Sequence, residues 1–267
     1  MKSFLPDIPP ILEPENRLAK GLVLAYSLMI MGLLFFAIGF IFRELLLEIF
    51  VTQTPLDSVV HRDDYIEMWK ASLRFDAKFA YLAILPGLFF AAVSIVGGAV
   101  YRYCCKLMTV FVAHVFGWFY LSNVANLHYI NTTGHGFGAP EWEAFKAAPF
   151  EMLGQFWNHY PIVTDVVIGI LVGVIFVALW FRLASIISRW NLWQGTQWTN
   201  LLIALMCFIG FMWTCAQAPL TTSDPLKAED AIVSKYAIMN TITVSAPMAI
   251  YYDEELRPLG FFEKTAQ

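Results

Sequence analysis

Between Lys20 and Arg43 the chain carries no charged side chain, and almost every residue from Gly21 to Phe42 is apolar. A helix needs about 20 such residues to cross about 30 Å of hydrocarbon, and a signal-peptide core is shorter. No small-residue cleavage site follows cleanly, so the run reads as a retained first span. Only a helix or a closed barrel can satisfy its own backbone hydrogen bonds in lipid, and an unbroken apolar run selects the helix. Four more runs follow, near 79–100, 107–127, 162–183 and 200–217. The expected fold is therefore an all-α integral membrane protein: a bundle of about five transmembrane helices over residues 1–218, with interfacial helices on its outer face. An extracytoplasmic amphipathic tail or linker follows over 219–267.

Composition supports the same solvent. Hydrophobic residues make up 58% of the chain and charged ones 14%, whereas soluble domains carry about 25% charged residues. A net charge of -4 leaves no basic footprint for nucleic acid, which removes that class of partner. Cys104, Cys105, Cys207 and Cys215 are not spaced as an extracellular disulfide framework. The first two are juxtamembrane and could in principle be lipidated, but small buried thiols are the commoner case.

Orientation follows from basic residues near short loops. Lys2, Arg17, Lys20, Arg102, Lys106, Arg182 and Arg189 share one side if the amino terminus is cytoplasmic, while Asp57, Asp63, Asp64, Glu67, Glu141, Glu143 and Glu151 fall on the other. Five spans then place the carboxy terminus outside. Trp190, Trp193 and Trp198 mark one boundary, and Trp142, Trp157 and Tyr160 the other. Pro86-Gly87 is expected to kink the second span. From Ser58 to Leu73, Val59, Ile66, Trp69 and Leu73 recur near one helical face, predicting a helix along the outer interface. Asp224-Pro225 is a helix-start signal, and Ile232, Tyr236, Met239 and Ile242 continue at helical spacing, predicting one or two surface helices in the tail.

Ionisable groups at membrane depth are costly, which makes each a candidate for function. Arg74, Asp76 and Lys78 open the second span; a cation there can hold a lipid phosphate, with Asp76 orienting Arg74. The bland alternative is snorkelling that pins the helix at the interface. Asn123, Asn126 and Tyr129 are spaced by three on one helical face and could complete a lipid-headgroup site, although membrane asparagines more commonly bond between helices. His114, nearer the middle of span three, reads as a packing histidine. His128, His135, Glu143, Glu151 and His159 fit no compact zinc pattern. No phosphate-cradling glycine loop, nucleophile elbow or triad is present, so no catalytic residue, metal or cofactor is expected from this chain itself.

Three stretches carry a resemblance. The run Leu73-Arg74-Phe75-Asp76-Ala77-Lys78-Phe79-Ala80, continuing to Leu85-Pro86, resembles the start of the second span in sulfatase-type lipoteichoic-acid synthase-like proteins of bacterial inner membranes. The segment from Asn126 to Pro161 is similar too, with Glu143-Ala144-Phe145, Pro149-Phe150-Glu151-Met152-Leu153 and Trp157-Asn158-His159-Tyr160-Pro161, as is Pro225 to Ala231 in the tail. Ile130-Asn131-Thr132-Thr133 departs from the family, which often places a basic residue there. The resemblance implies a five-helix membrane domain serving an extracytoplasmic alkaline-phosphatase-like domain that moves phosphoglycerol or phosphoethanolamine from a phospholipid to an acceptor. No residue here matches that domain's threonine nucleophile or its metal ligands. The implied function is the membrane module of such a transferase, anchoring and presenting phospholipid to a catalytic domain outside residues 1–267. The alternative is a non-enzymatic lipid-sensing or docking subunit of an inner-membrane complex.

Overall fold

The computed structural model describes residues 11–52, 58–133, 136, 139–190, 193, 198–218 and 224–259, and among them every regular element is helical. In chain order these are α1 (Arg17–Leu47), closed by a π-helical turn (Glu48–Thr52), α2 (Arg62–Val93), α3 (Gly98–Thr133), α4 (Ala139–Ala147), α5 (Pro149–His159), α6 (Ile162–Ser188) and α7 (Trp198–Gln217). The tail adds α8 (Ala237–Thr243), α9 (Ala246–Tyr251) and α10 (Asp253–Leu256), with single 3-10 turns at Ala228–Ala231 and Arg257–Leu259. Five helices, α1, α2, α3, α6 and α7, are long and apolar enough to cross a membrane.

Three of them, α1, α2 and α3, have more than 30 residues, well beyond the about 20 that a crossing requires. At 1.5 Å per residue, α3 with its 36 residues extends about 54 Å against about 30 Å of hydrocarbon. The surplus sits where the apolar runs stop: the end of α1, the start of α2 and the end of α3. This corrects the expected separate interfacial helix, because Ser58 to Leu73 does not stand apart; from Arg62 it is the first part of α2, continuous through Pro86. Asp63 and Asp64 in its first turn favour the positive end of the helix dipole, and the Asp64 carboxylate accepts the His61 backbone N–H at 3.0 Å. The break between α2 and α3 comes at Ser94–Gly97, earlier than hydropathy places it, so Arg102 and Lys106 lie within α3.

The chain forms two compact units. The first comprises residues 1–34, 81–117 and 170–213. Ala19, Leu22, Val23, Ile187, Trp193, Leu201 and Ala204 form an apolar cluster in it. Tyr26 donates to the Ala204 carbonyl at 2.8 Å, and the Trp193 indole to the Ile187 carbonyl at 2.6 Å. Close approach explains Gly87: a Cβ there would come within 2.6 Å of the Phe111 ring and 2.8 Å of Leu28. An N-terminal strap, residues 11–16, is tied down by Glu13, whose carboxylate takes Lys20 at 2.6 Å and Arg102 at 3.0 Å. The Leu12 N–H donates to Ser188 Oγ, and Tyr101 donates to the Leu12 carbonyl. The Lys20 hydrogen bond holds the Glu13 carboxyl below its ordinary range, opposed by burial and assisted by the charges of Lys20 and Arg102.

The second unit comprises residues 35–80, 118–169 and 214–267. Phe35, Phe79 and Phe119 pack ring against ring at its base, the Phe79–Phe119 centroids 4.6 Å apart. A second cluster joins Leu46, Leu47, Val51, Val60, Met68 and Ile130 to the tail residues Ile238, Met239 and Ile242. The tail is thus packed into this unit, which corrects the expectation of surface helices: Ile238 to Thr243 of α8 are all buried. Helix does not begin at Asp224-Pro225; the helical spacing of the tail is realised only from Ala237. Asn240 turns the chain into α8, its Oδ1 accepting the N–H groups of Val233 and Ser234 while its Nδ2 donates to the Ser234 carbonyl.

Candidate functional site

Arg74, Asp76 and Lys78, which fall within α2 and not at its start, lie in the second unit, and their observed partners are protein groups. Arg43 and Asp76 are 4% and 3% exposed and form a two-armed pair, Nη1 to Oδ2 at 2.5 Å and Nη2 to Oδ1 at 2.7 Å. Gly39, one turn before Arg43, makes room for it: a Cβ would stand 3.0 Å from Asp76 Oδ2. Arg43 also reaches the tail, donating to the carbonyls of Ile242 at 3.3 Å and Thr243 at 3.4 Å. The expected pairing of Asp76 with Arg74 is therefore corrected. Arg43 on α1 takes Asp76, because the bidentate fork fits a carboxylate facing it across two helices, whereas Arg74 and Asp76 are only two apart on one helix and diverge.

Arg74 turns to the tail instead. Its Nε donates to the Ala218 carbonyl at 3.0 Å, its Nη2 to the Asp224 carbonyl at 2.8 Å, and its Nη1 pairs with Asp230 at 3.0 Å. Lys78 donates to the Ala216 carbonyl at 2.7 Å, and Ser72 to the Thr243 carbonyl at 3.1 Å. Burial pushes the neighbouring Tyr252 phenol up to about 12. Together these groups make a clamp in which α1 and α2 hold the backbone leaving α7 and the tail beyond it. Carbonyls at the end of a helix lack intrahelical donors, which is why cations gather there.

On α3, Asn123 donates to the Phe119 carbonyl at 2.7 Å and is buried, a local bond within its own helix. Asn126, 5% exposed, lies beside Gly136, where a Cβ would meet Thr241 of the tail at 2.6 Å. Of the six residues named from sequence, Tyr129 lines the cavity of this unit. That cavity, about 500 Å³, is bounded by Tyr129, Thr132 and Thr133 from α3, Glu141 and Ala144 from α4, and Met152, Gln155, Phe156, His159 and Tyr160 from α5 and its end. The lining combines hydroxyls, a carboxylate, an amide and an imidazole with thioether and aromatic surface, and among the described residues no lysine or arginine lines it.

The walls are fixed by short bonds. Tyr129 donates to Glu141 at 3.1 Å, and the Thr132 and Tyr160 hydroxyls are 2.6 Å apart. His128 stacks on Tyr160 at 5.2 Å between centroids and meets Asp165, in the first turn of α6, at 3.1 Å. Sequence reasoning singled out His128 and His159 only as metal candidates. The structure gives them separate settings: His128 supports the Tyr160 wall, and His159 Nδ1 lies 2.8 Å from the Gln155 carbonyl at the rim. Glu143 pairs with Lys146, Glu151 is exposed, and His135 lies outside the described residues. Among the described residues no group of three or more histidine, cysteine or acidic side chains is placed to hold a metal ion.

The cavity can take a small polar group that offers hydrogen bonds to hydroxyls and a carboxylate, with an apolar remainder against Met152 and Phe156. Its lining comes from the segment between Tyr129 and Tyr160, not from the charged residues Arg74, Asp76 and Lys78. No protein-family model matches the chain, and no curated protein or solved structure matches it.

Proposed function

We propose that this chain is the membrane module of a sulfatase-type phospholipid headgroup transferase in a bacterial inner membrane, with its amino terminus cytoplasmic. It presents a phospholipid headgroup in the α3–α4–α5 cavity to a separate extracytoplasmic catalytic domain. The observation that carries this reading is the cavity: a few hydroxyl, carboxylate, amide and imidazole groups set among thioether and aromatic surface, and built on the end of a helix long enough to cross a membrane. Ligand pockets combine a mostly apolar lining with a few placed polar groups in this way. With no lysine or arginine among its described lining residues, the cavity suits the hydroxyl or amine end of a headgroup better than its phosphate. Arg74, Asp76, Lys78, Asn123 and Asn126 then serve the site by fixing the tail and the α3 wall, and Tyr129 and Glu141 face the headgroup.

The test is purification in nanodiscs followed by mass spectrometry of bound lipids and proteins. Ala144→Trp fills the cavity and is expected to remove retained phospholipid, and Glu141→Gln to reduce it, while Lys146→Ala leaves it unchanged. Equal retention in all these variants would overturn the cavity reading. Lipid retention with a stoichiometric partner that is not a phosphatase-like domain would favour the alternative, a lipid-sensing or docking subunit.

A further inference from the structure

The second face of α5 is not used by the cavity. Met152, Gln155, Phe156 and His159 point to the pocket, whereas Phe150, Leu153 and Trp157 recur at helical spacing on another face and are 87%, 48% and 62% exposed. Gly154 lies among them, and a Cβ built on it would meet nothing within 4 Å. A Phe left 87% exposed beside an exposed Trp forms an apolar stripe that water does not favour.

Continuity identifies the occupant. Through Tyr160 and Pro161 the chain passes directly into α6, whose first turns expose Val163 at 60%, Val166 at 40% and Val167 at 51%. Helix α6 is the most hydropathic of the five long helices, and only 11% of its apolar window is buried. The surface that covers α6 therefore meets α5 at once. Charge agrees with an uncharged cover: Lys146 is paired with Glu143, Glu151 lies off the stripe and His159 faces the cavity, so the described residues of α4 and α5 leave no lysine or arginine to recruit an anionic surface.

We propose that α5 is an interfacial helix whose Phe150–Leu153–Trp157 face is sunk in the headgroup–acyl boundary of the bilayer, making the cavity wall a membrane-borne element. The proposal rests on the membrane reading of α6, not on the transferase reading. An amphipathic helix of this kind buries its apolar face by about 5–10 Å, near the top of the acyl chains.

The experiment places an environment-sensitive bimane on Phe150→Cys, with Leu153→Cys as a second position, Asn158→Cys for the polar side and Val174→Cys on α6. Each is reconstituted in phosphatidylcholine vesicles, and the unsubstituted chain labelled in parallel supplies the background from native cysteines. Labels at 150 and 153 should lose most of their fluorescence to a nitroxide near the top of the acyl chain and little to one near its methyl end. The label at 158 should respond to aqueous iodide. Adding phosphatidylglycerol should change neither result. If 174 is quenched by lipid but 150 and 153 respond to iodide, the proposal is wrong and the membrane reading stands; if 174 also escapes the nitroxides, both fall. Shielding of 150 and 153 from both quenchers would assign the stripe to a protein contact and overturn the lipid.

Discussion

Replacing Asp76 by Ala isolates the group on which the second unit turns. Arg43 would keep two contacts, to the Ile242 and Thr243 carbonyls at 3.3 and 3.4 Å, and lose the two short charge-assisted bonds at 2.5 and 2.7 Å. At 4% exposure the stranded guanidinium has no ready access to water. Breaking a buried pair from one side costs about 3–5 kcal/mol. At about 2–4 °C per kcal/mol for chains of this size class, the apparent Tm should drop by about 6–20 °C. The assay is differential scanning fluorimetry in one detergent, with Glu67→Ala as control. Glu67 and Lys70 form a pair that is 56% and 48% exposed, for which about 0–1 kcal/mol is expected. The paired change Arg43→Met with Asp76→Leu removes both charges and should recover most of the loss, because the larger part of the single-variant penalty is an uncompensated charge. A fall no larger than the control's, or a double variant as unstable as the single, would refute the reasoning.

Three further outcomes follow from neighbouring geometry. Gly39→Ala should destabilise despite a helix-propensity gain of about 1 kcal/mol, since the new methyl would press on a carboxylate that its two-armed pair cannot release; thermal melts decide the sign. Arg74→Lys should leave expression intact yet speed proteolysis between residues 224 and 231, because an ammonium cannot reach Ala218, Asp224 and Asp230 at once; an unchanged cleavage rate would sink the clamp. Glu13 has its folded pKa below 4.5, so its contribution is complete at neutral pH and is lost as pH falls through that lowered value. Acid melts of Glu13→Gln should therefore lack one destabilising step that the unsubstituted chain shows below 4.5.

Hydropathy alone was sufficient to find α1, α2, α3, α6 and α7, because each has an apolar stretch of membrane length whatever its neighbours. Their ends were harder. Val59, Ile66, Trp69 and Leu73 suggest an interfacial helix, yet a periodic face says nothing about whether the next residues continue it, and α2 continues without a break to Val93. The clamp was hidden for another reason. Arg43 and Asp76 are separated by 33 residues, and Arg43 and Ile242 by 199. Each charge taken singly is compatible with snorkelling, and only tertiary packing reveals which one is enclosed. Nearness in sequence pairs Asp76 with Arg74, whereas the carboxylate's partner, Arg43, is 33 residues away. The cavity was half visible: Tyr129 was named, while Glu141, Gln155 and Tyr160 have no meaning as a set until α4 and α5 fold against α3.

The reach of Arg43 also imposes an order on biogenesis. Arg43 and Asp76 leave the ribosome close together, so a hairpin of the first two spans can neutralise both charges early. The carbonyls of Ile242 and Thr243 arrive 199 and 200 residues later, a delay of about 10–40 s at 5–20 residues per second. During that interval the guanidinium holds a carboxylate but lacks its last acceptors, and a chain halted before the tail would carry that deficit permanently. The segment around Ile242 and Thr243 therefore completes the Arg43 site only late in synthesis.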